Sequence, residues 1–119
     1  MQSFRELKVW EKGHLLTLRL YNVTSAFPRE ELYGLTSQIR RAASSIPTNI
    51  AEGCCRNSDA DFARFLQMAL GSASELEYLL LLSGDLKLLS TEHCISLSNE
   101  TTEVKRMLAS LLKKLRADS

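Results

Sequence analysis

The sequence predicts an all-α protein, an antiparallel up-and-down four-helix bundle. Apolar residues recur every three or four positions through four separate stretches, the spacing of one helix face. The stretches are joined by short polar connections, which place successive helices side by side. Only five glycines and two prolines occur among 119 residues, too few for the tight turns of an all-β chain. A chain of this length fits a single domain, 1–119, and can hold a core without metals or disulfides.

The first helix is expected over about 6–25. Leu7, Trp10, Leu15, Leu18 and Tyr21 make one apolar face, widened by Leu16, Leu20 and Val23. Gly13 weakens it locally. Phe27-Pro28 ends it, because the residue before a proline is pushed out of helical geometry. Arg29-Glu30-Glu31 then makes a polar connection.

The second helix is expected over about 34–55, with Leu35, Ile39, Ala42 or Ala43, Ile46 and Ile50 on one face. Pro47 stands inside this pattern. It cannot donate a backbone hydrogen bond and its ring crowds the carbonyl four residues back, so a kink offset by packing is expected there. Ser37, Ala42, Ala43, Ser44 and Ser45 are small enough to let a neighbouring helix come close.

The third helix, about 59–86, starts after Ser58, a good N-cap with Asp61 three residues on. Phe62, Phe65, Leu66, Ala69, Ala73, Leu76 and Leu80 form its face, and Gly71-Ser72 reads as a site of close packing. The fourth, about 91–115, starts after Ser90. Cys94, Leu97, Thr101, Val104, Leu108, Leu111 and Leu115 make a heptad-like seam.

Tyr78 is followed by four consecutive leucines, Leu79 to Leu82. At about 100° per residue they point around most of the helix, whereas one core covers a single stripe. Tyr78, Leu79, Leu81 and Leu82 are therefore the candidate interface of a homo-oligomer.

The net charge is +1, which selects no strong partner. Residues 1–56 carry eight Lys/Arg against five Asp/Glu, and the last stretch gathers Lys105, Arg106, Lys113, Lys114 and Arg116. Cations there also complement the negative end of a helix dipole. No apolar run reaches the length of a membrane span, and the charged N-terminus lacks a signal core, so a cytoplasmic protein without membrane contact is expected. Cys54, Cys55 and Cys94 are odd in number and two are adjacent, which describes reduced thiols rather than a disulfide framework.

Catalytic chemistry finds little material. A di-iron bundle needs two Glu-x-x-His pairs, and only Glu11 and His14 have that spacing. Nothing orients a histidine base toward Cys54 or Cys55. No glycine-rich phosphate loop occurs. The expectation is a non-enzyme with no metal and no cofactor.

A set of motifs then identifies a family. Val9-Trp10, Phe27-Pro28, Tyr33-Gly34-Leu35-Thr36-Ser37-Gln38-Ile39-Arg40-Arg41-Ala42-Ala43, Ser45-Ile46-Pro47 and Asn49-Ile50-Ala51-Glu52-Gly53 carry the resemblance. Arg56, Phe65-Leu66, Ala69, Gly71-Ser72 and Glu75-Leu76 extend it over about residues 4–87. The chain resembles the four-helix-bundle proteins encoded in intervening sequences of bacterial 23S rRNA genes. That resemblance implies an up-and-down bundle and a ring-like homopentamer. The chain is also similar to the accessory variability protein of diversity-generating retroelements, a basic pentamer that binds nucleic acid and the reverse transcriptase. At +1 this chain is less basic than that relative.

Two roles are open for the charged residues. Arg40 and Arg41 point about 100° apart on a helix, so one is expected to pair with Glu75 or Glu52 in a structural contact while the other is exposed. Glu52 and Arg56 have the i, i+4 spacing of a supporting ion pair. The competing role is RNA or DNA contact through Arg40, Arg41, Arg56, Lys113, Lys114 and Arg116, repeated around a ring. The leading function is thus a nucleic-acid-associated interaction module, working with RNA, DNA or an RNA-handling protein. The alternative is a protein–protein scaffold with no nucleic-acid contact.

Overall fold

In the computed structural model, which describes residues 3–118, the chain is all-α with four helices and, among those residues, no strand. They are α1 (Lys8–Thr24), α2 (Leu35–Cys54), α3 (Asp59–Asp85) and α4 (Thr91–Asp118). Short 3-10 turns, Phe4–Glu6 and Arg29–Glu31, precede α1 and α2. The molecule measures 46 × 22 × 19 Å.

The starts and stops have local causes. Gly34 has no side chain to cap α2, and Glu31 supplies one: its Oε1 accepts from the Leu35 N–H at 3.2 Å. Ser58 Oγ accepts from the Asp61 N–H and Ser90 Oγ from the His93 N–H, both at 3.1 Å, each filling a donor that the helix leaves open. After α3, the Leu88 N–H returns to the Ser83 carbonyl at 2.9 Å while Lys87 takes a left-handed φ of 61°.

The core runs along the middle of all four helices. Ile39, Ile46 and Ile50 of α2, Leu66, Leu76 and Leu80 of α3, and Leu97, Val104 and Leu108 of α4 are fully enclosed. Leu112 continues the α4 seam inward, while Leu111 and Leu115 are half-buried beside it.

Helix α1 corrects the sequence expectation. Leu15 and Leu18 are 54% exposed and Tyr21 is 45% exposed, so they are not core. The buried face is Val9, Gly13, Leu16, Thr17, Leu20 and Thr24. The reason lies in how α1 meets α2. A Cβ on Gly13 would stand 3.2 Å from Ile46 Cγ2 and 3.6 Å from Pro47 Cδ, so the glycine is what lets the helices approach. Four residues on, Thr17 Oγ1 lies 3.1 Å from the Ala43 carbonyl oxygen and 2.8 Å from that of Gly13. Pro47 has no N–H for the Ala43 carbonyl, and the Thr17 hydroxyl on the neighbouring helix can donate to it instead. A buried acceptor is thereby satisfied across the contact.

Small residues also set the α2–α3 contact. Ser45 Oγ donates to Ser72 Oγ at 2.9 Å. A Cβ on Gly53 would meet the Phe62 ring at 2.8 Å and Phe65 Cβ at 2.9 Å. Gly71 differs from expectation: a Cβ there would meet nothing within 4 Å, so no close approach depends on it.

Candidate nucleic-acid interface

The six basic candidates do not form one surface. Arg40 and Arg41 sit in the first half of α2, and the stretch from Arg41 to Cys54 spans about 20 Å of helix. Arg56, Lys113, Lys114 and Arg116 lie toward the other end, where α2 hands over to α3 and α4 finishes.

Arg40 is held inside the α1–α2 contact. Its Nε donates to Thr24 Oγ1 at 3.0 Å, its Nη2 donates to the Tyr21 carbonyl at 3.2 Å, and its guanidinium lies 4.6 Å from the Tyr21 ring centre. Arg41 reaches Glu75 at 3.7 Å, but the two side chains are 72% and 45% exposed. The pair is therefore a surface ion pair, not a buried one, and such pairs contribute about 1 kcal/mol at most. Glu52 is exposed, and Arg56 turns away from it to reach Asp61 at 3.8 Å. Arg56 lies beyond the last helical residue, Cys54, so the i, i+4 geometry does not apply.

The turn between α2 and α3 builds the more organised basic site. Phe65 is buried, and two guanidiniums lie against its ring, Arg56 at 4.4 Å and Arg64 at 4.7 Å from the centre. Both also reach one carboxylate: Arg64 Nε is 3.0 Å from Asp61 Oδ1, and Arg56 Nε is 3.8 Å from Oδ2. Two half-exposed cations share one anion and one aromatic platform, which biases the direction of both planar forks. Asp59 borders the same surface as a second acid. Arg64 and Arg116 line one cavity of about 330 Å³, and Arg56 lines the adjoining one of about 420 Å³, with Leu115 common to both. Lys113 is exposed on the same final turns of α4.

Sequence reasoning missed Arg64. Its signal was the i, i+3 spacing from Asp61, which reads equally as a routine surface pair. That both arginines converge on Phe65 follows only from the turn geometry.

The candidate oligomer residues divide as well. Tyr78 and Leu81 are 58% and 56% exposed. Leu79 is a correction: at 4% exposure it belongs to the core of its own chain, and Leu82 is half-buried against that core. Leu15 and Leu18 on α1 form a second exposed apolar patch.

The three cysteines are free thiols; Cys54 is buried, Cys55 exposed and Cys94 half-buried. Burial pushes the Cys54 thiol up from its ordinary range, and the neighbouring Cys55 adds to this. His14 stacks on Trp10 with ring centres 5.0 Å apart. Among the described residues, no three His, Cys, Asp or Glu side chains gather as a metal site would require, and no helix is long and apolar enough to cross a membrane.

Comparison with known proteins agrees with this architecture. The family profile described as 23S rRNA-intervening sequence protein matches residues 5–110. A crystal structure of a protein of unknown function from the S23 ribosomal protein family of Bacteroides thetaiotaomicron superposes with a TM-score of 0.80. It is 30% identical in sequence, and the match covers 88% of this chain and 98% of that one. No functionally curated protein matches the sequence. With the profile spanning nearly its whole length, the chain belongs to the 23S rRNA-intervening sequence protein family.

Proposed function

We propose that this protein is a non-enzymatic, single-domain interaction module that binds RNA or DNA through the basic end of an antiparallel up-and-down bundle. The observation that carries the reading is the pair Arg56 and Arg64, both set on Phe65 and sharing Asp61. Pre-oriented guanidinium forks match phosphate geometry and lose little freedom on binding. Lys113 and Arg116 add positive charge at the same end. The antiparallel order is supported by the contacts of α1 with α2, where Gly13 meets Pro47, Thr17 meets Ala43 and Thr24 meets Arg40.

Self-association into a ring, a pentamer by family resemblance, multiplies that basic surface. Its support is the pair of exposed apolar patches, Leu15 with Leu18 and Tyr78 with Leu81, on different helices. A light-scattering mass near five times 13.4 kDa is the expected result, and a mass of one chain removes the ring.

The binding test is fluorescence anisotropy with a structured RNA. Affinity should fall by orders of magnitude between about 50 and 200 mM salt, the mark of several phosphate contacts. Arg56→Ala with Arg64→Ala should weaken it and flatten the salt dependence. Absence of binding at low salt removes the nucleic-acid reading and leaves the second one, a protein–protein scaffold, which the same apolar patches favour.

A further inference from the structure

A second surface lies at the same end of the bundle but on another side, where the start of α1 faces the last turns of α4. A groove of about 430 Å³ opens there. Its floor is apolar: Leu7, Val9, Met107 and Leu111. Its rim is cationic: Lys8, Arg106 and Lys114. No carboxylate lines it. The nearest acid along α4, Glu103, is held by Lys12 at 3.0 Å. Among the described residues, none of the three rim cations pairs with a carboxylate, in contrast to Lys12, Arg19, Arg41 and Lys105.

We infer that this groove docks an acidic amphipathic helix of a partner protein. Two features select that occupant. Phosphate backbones need cations but gain nothing from an apolar floor, whereas an amphipathic helix needs both. The cationic rim also has the right length. From Arg106 to Lys114 α4 rises about 12 Å, and helix anchors at i, i+3, i+4 and i+7 span about 10.5 Å. Apolar anchors on the floor with acids on either side would meet cations along the rim, which steers the approach and fixes the register. The groove shares no lining residue with the cavities beside Arg56 and Arg64, so it is tested apart from that pair.

The test uses the full chain and a fluorescein-labelled synthetic peptide, helical by design, with leucines at i, i+3, i+4 and i+7 and glutamates elsewhere. A scrambled peptide of equal composition controls for bulk charge. Saturable binding to the first peptide, at least about tenfold tighter than to the scramble, is expected. Lys8→Glu, Arg106→Glu and Lys114→Glu together should weaken it about tenfold or more through the rim. Ser110→Trp, at an exposed position that lines the groove, should do so by filling it. Circular dichroism melts of these surface variants should match the parent. Arg56→Ala with Arg64→Ala should leave peptide affinity unchanged. Equal binding of the scramble overturns the inference, as does affinity indifferent to the rim and Ser110 variants. Competitive displacement of the peptide by structured RNA overturns it too, and so does binding of a fatty-acid anion with no binding of the peptide.

Discussion

Against α2, helix α1 presents Gly13 and Thr17 and comes close enough that a methyl group on Gly13 would crowd Ile46. Against α4, the same helix presents Lys12 and Arg19, whose long side chains reach Glu103 and Glu100 at the surface. The first contact is sealed: its one backbone irregularity, the Ala43 carbonyl freed by Pro47, is answered by the Thr17 hydroxyl. The second contact is laced by half-exposed charges and opens at one end into an apolar groove. Small residues bring backbones together and remove water. Long charged residues bridge a gap without closing it, and apolar surface beneath them remains accessible.

The comparison can be broken most forcefully at Gly13. Leucine there has no space beside Ile46 and Pro47, and Gly13→Leu should lower unfolding free energy by about 3 kcal/mol in a urea melt. Stability near the parent value would mean that the α1–α2 contact is not sealed.

Next in size is Thr17→Val, which keeps the shape but removes the donor. Leaving the buried Ala43 carbonyl unanswered should lower stability by about 2 kcal/mol. The same change in a Pro47→Ala background should lower it by less than about 0.5 kcal/mol, because alanine in place of the proline restores an N–H to that carbonyl. A double-mutant cycle that closes with no coupling would remove Thr17 as the partner of the proline.

On the other face, Lys12→Ala or Arg19→Ala should each lower stability by under about 1 kcal/mol, and 1 M salt should shrink the difference. A larger, salt-independent loss would show that α1–α4 is as closed as α1–α2. The smallest effect belongs to the outward face: Leu15→Gln with Leu18→Gln should change the stability of a single chain by less than about 0.5 kcal/mol. The same pair should reduce the light-scattering mass if that patch joins subunits.

Helix α1 also shows where sequence reading reaches its limit. Its leucines fall on two faces, Leu15 and Leu18 outward and Leu16 and Leu20 inward. Hydropathy favours the wrong set because the inward face is completed by Gly13, Thr17 and Thr24. These residues are polar or featureless in periodicity, yet they make the closest packing and the buried hydrogen bonds. In α2, α3 and α4 the inward faces are mostly aliphatic and alanine positions at helical spacing, with Thr36, Phe65, Ser83 and Thr101 among them, and there pattern and burial largely agree. The basic candidates failed to group for a related reason: residue type reports charge, not the neighbour that holds it. Arg40 is tied down by Tyr21 and Thr24, and Arg41 by Glu75. Arg64, absent from the expected set, stands beside Arg56 on Phe65.

By itself the sequence determined the four helices, the capping serines at Ser58 and Ser90, most of the core and the family. All of these are local or periodic properties, written within a few turns of chain. Only the tertiary structure decided which face of α1 turns inward, which hydroxyl answers Pro47, and which cations share a surface. Those depend on residues far apart in sequence meeting across a helix contact: Thr17 with Ala43, Arg40 with Thr24, Lys8 with Arg106 and Lys114. Their free energies arise from distance and desolvation between elements, quantities that no single stretch of chain contains.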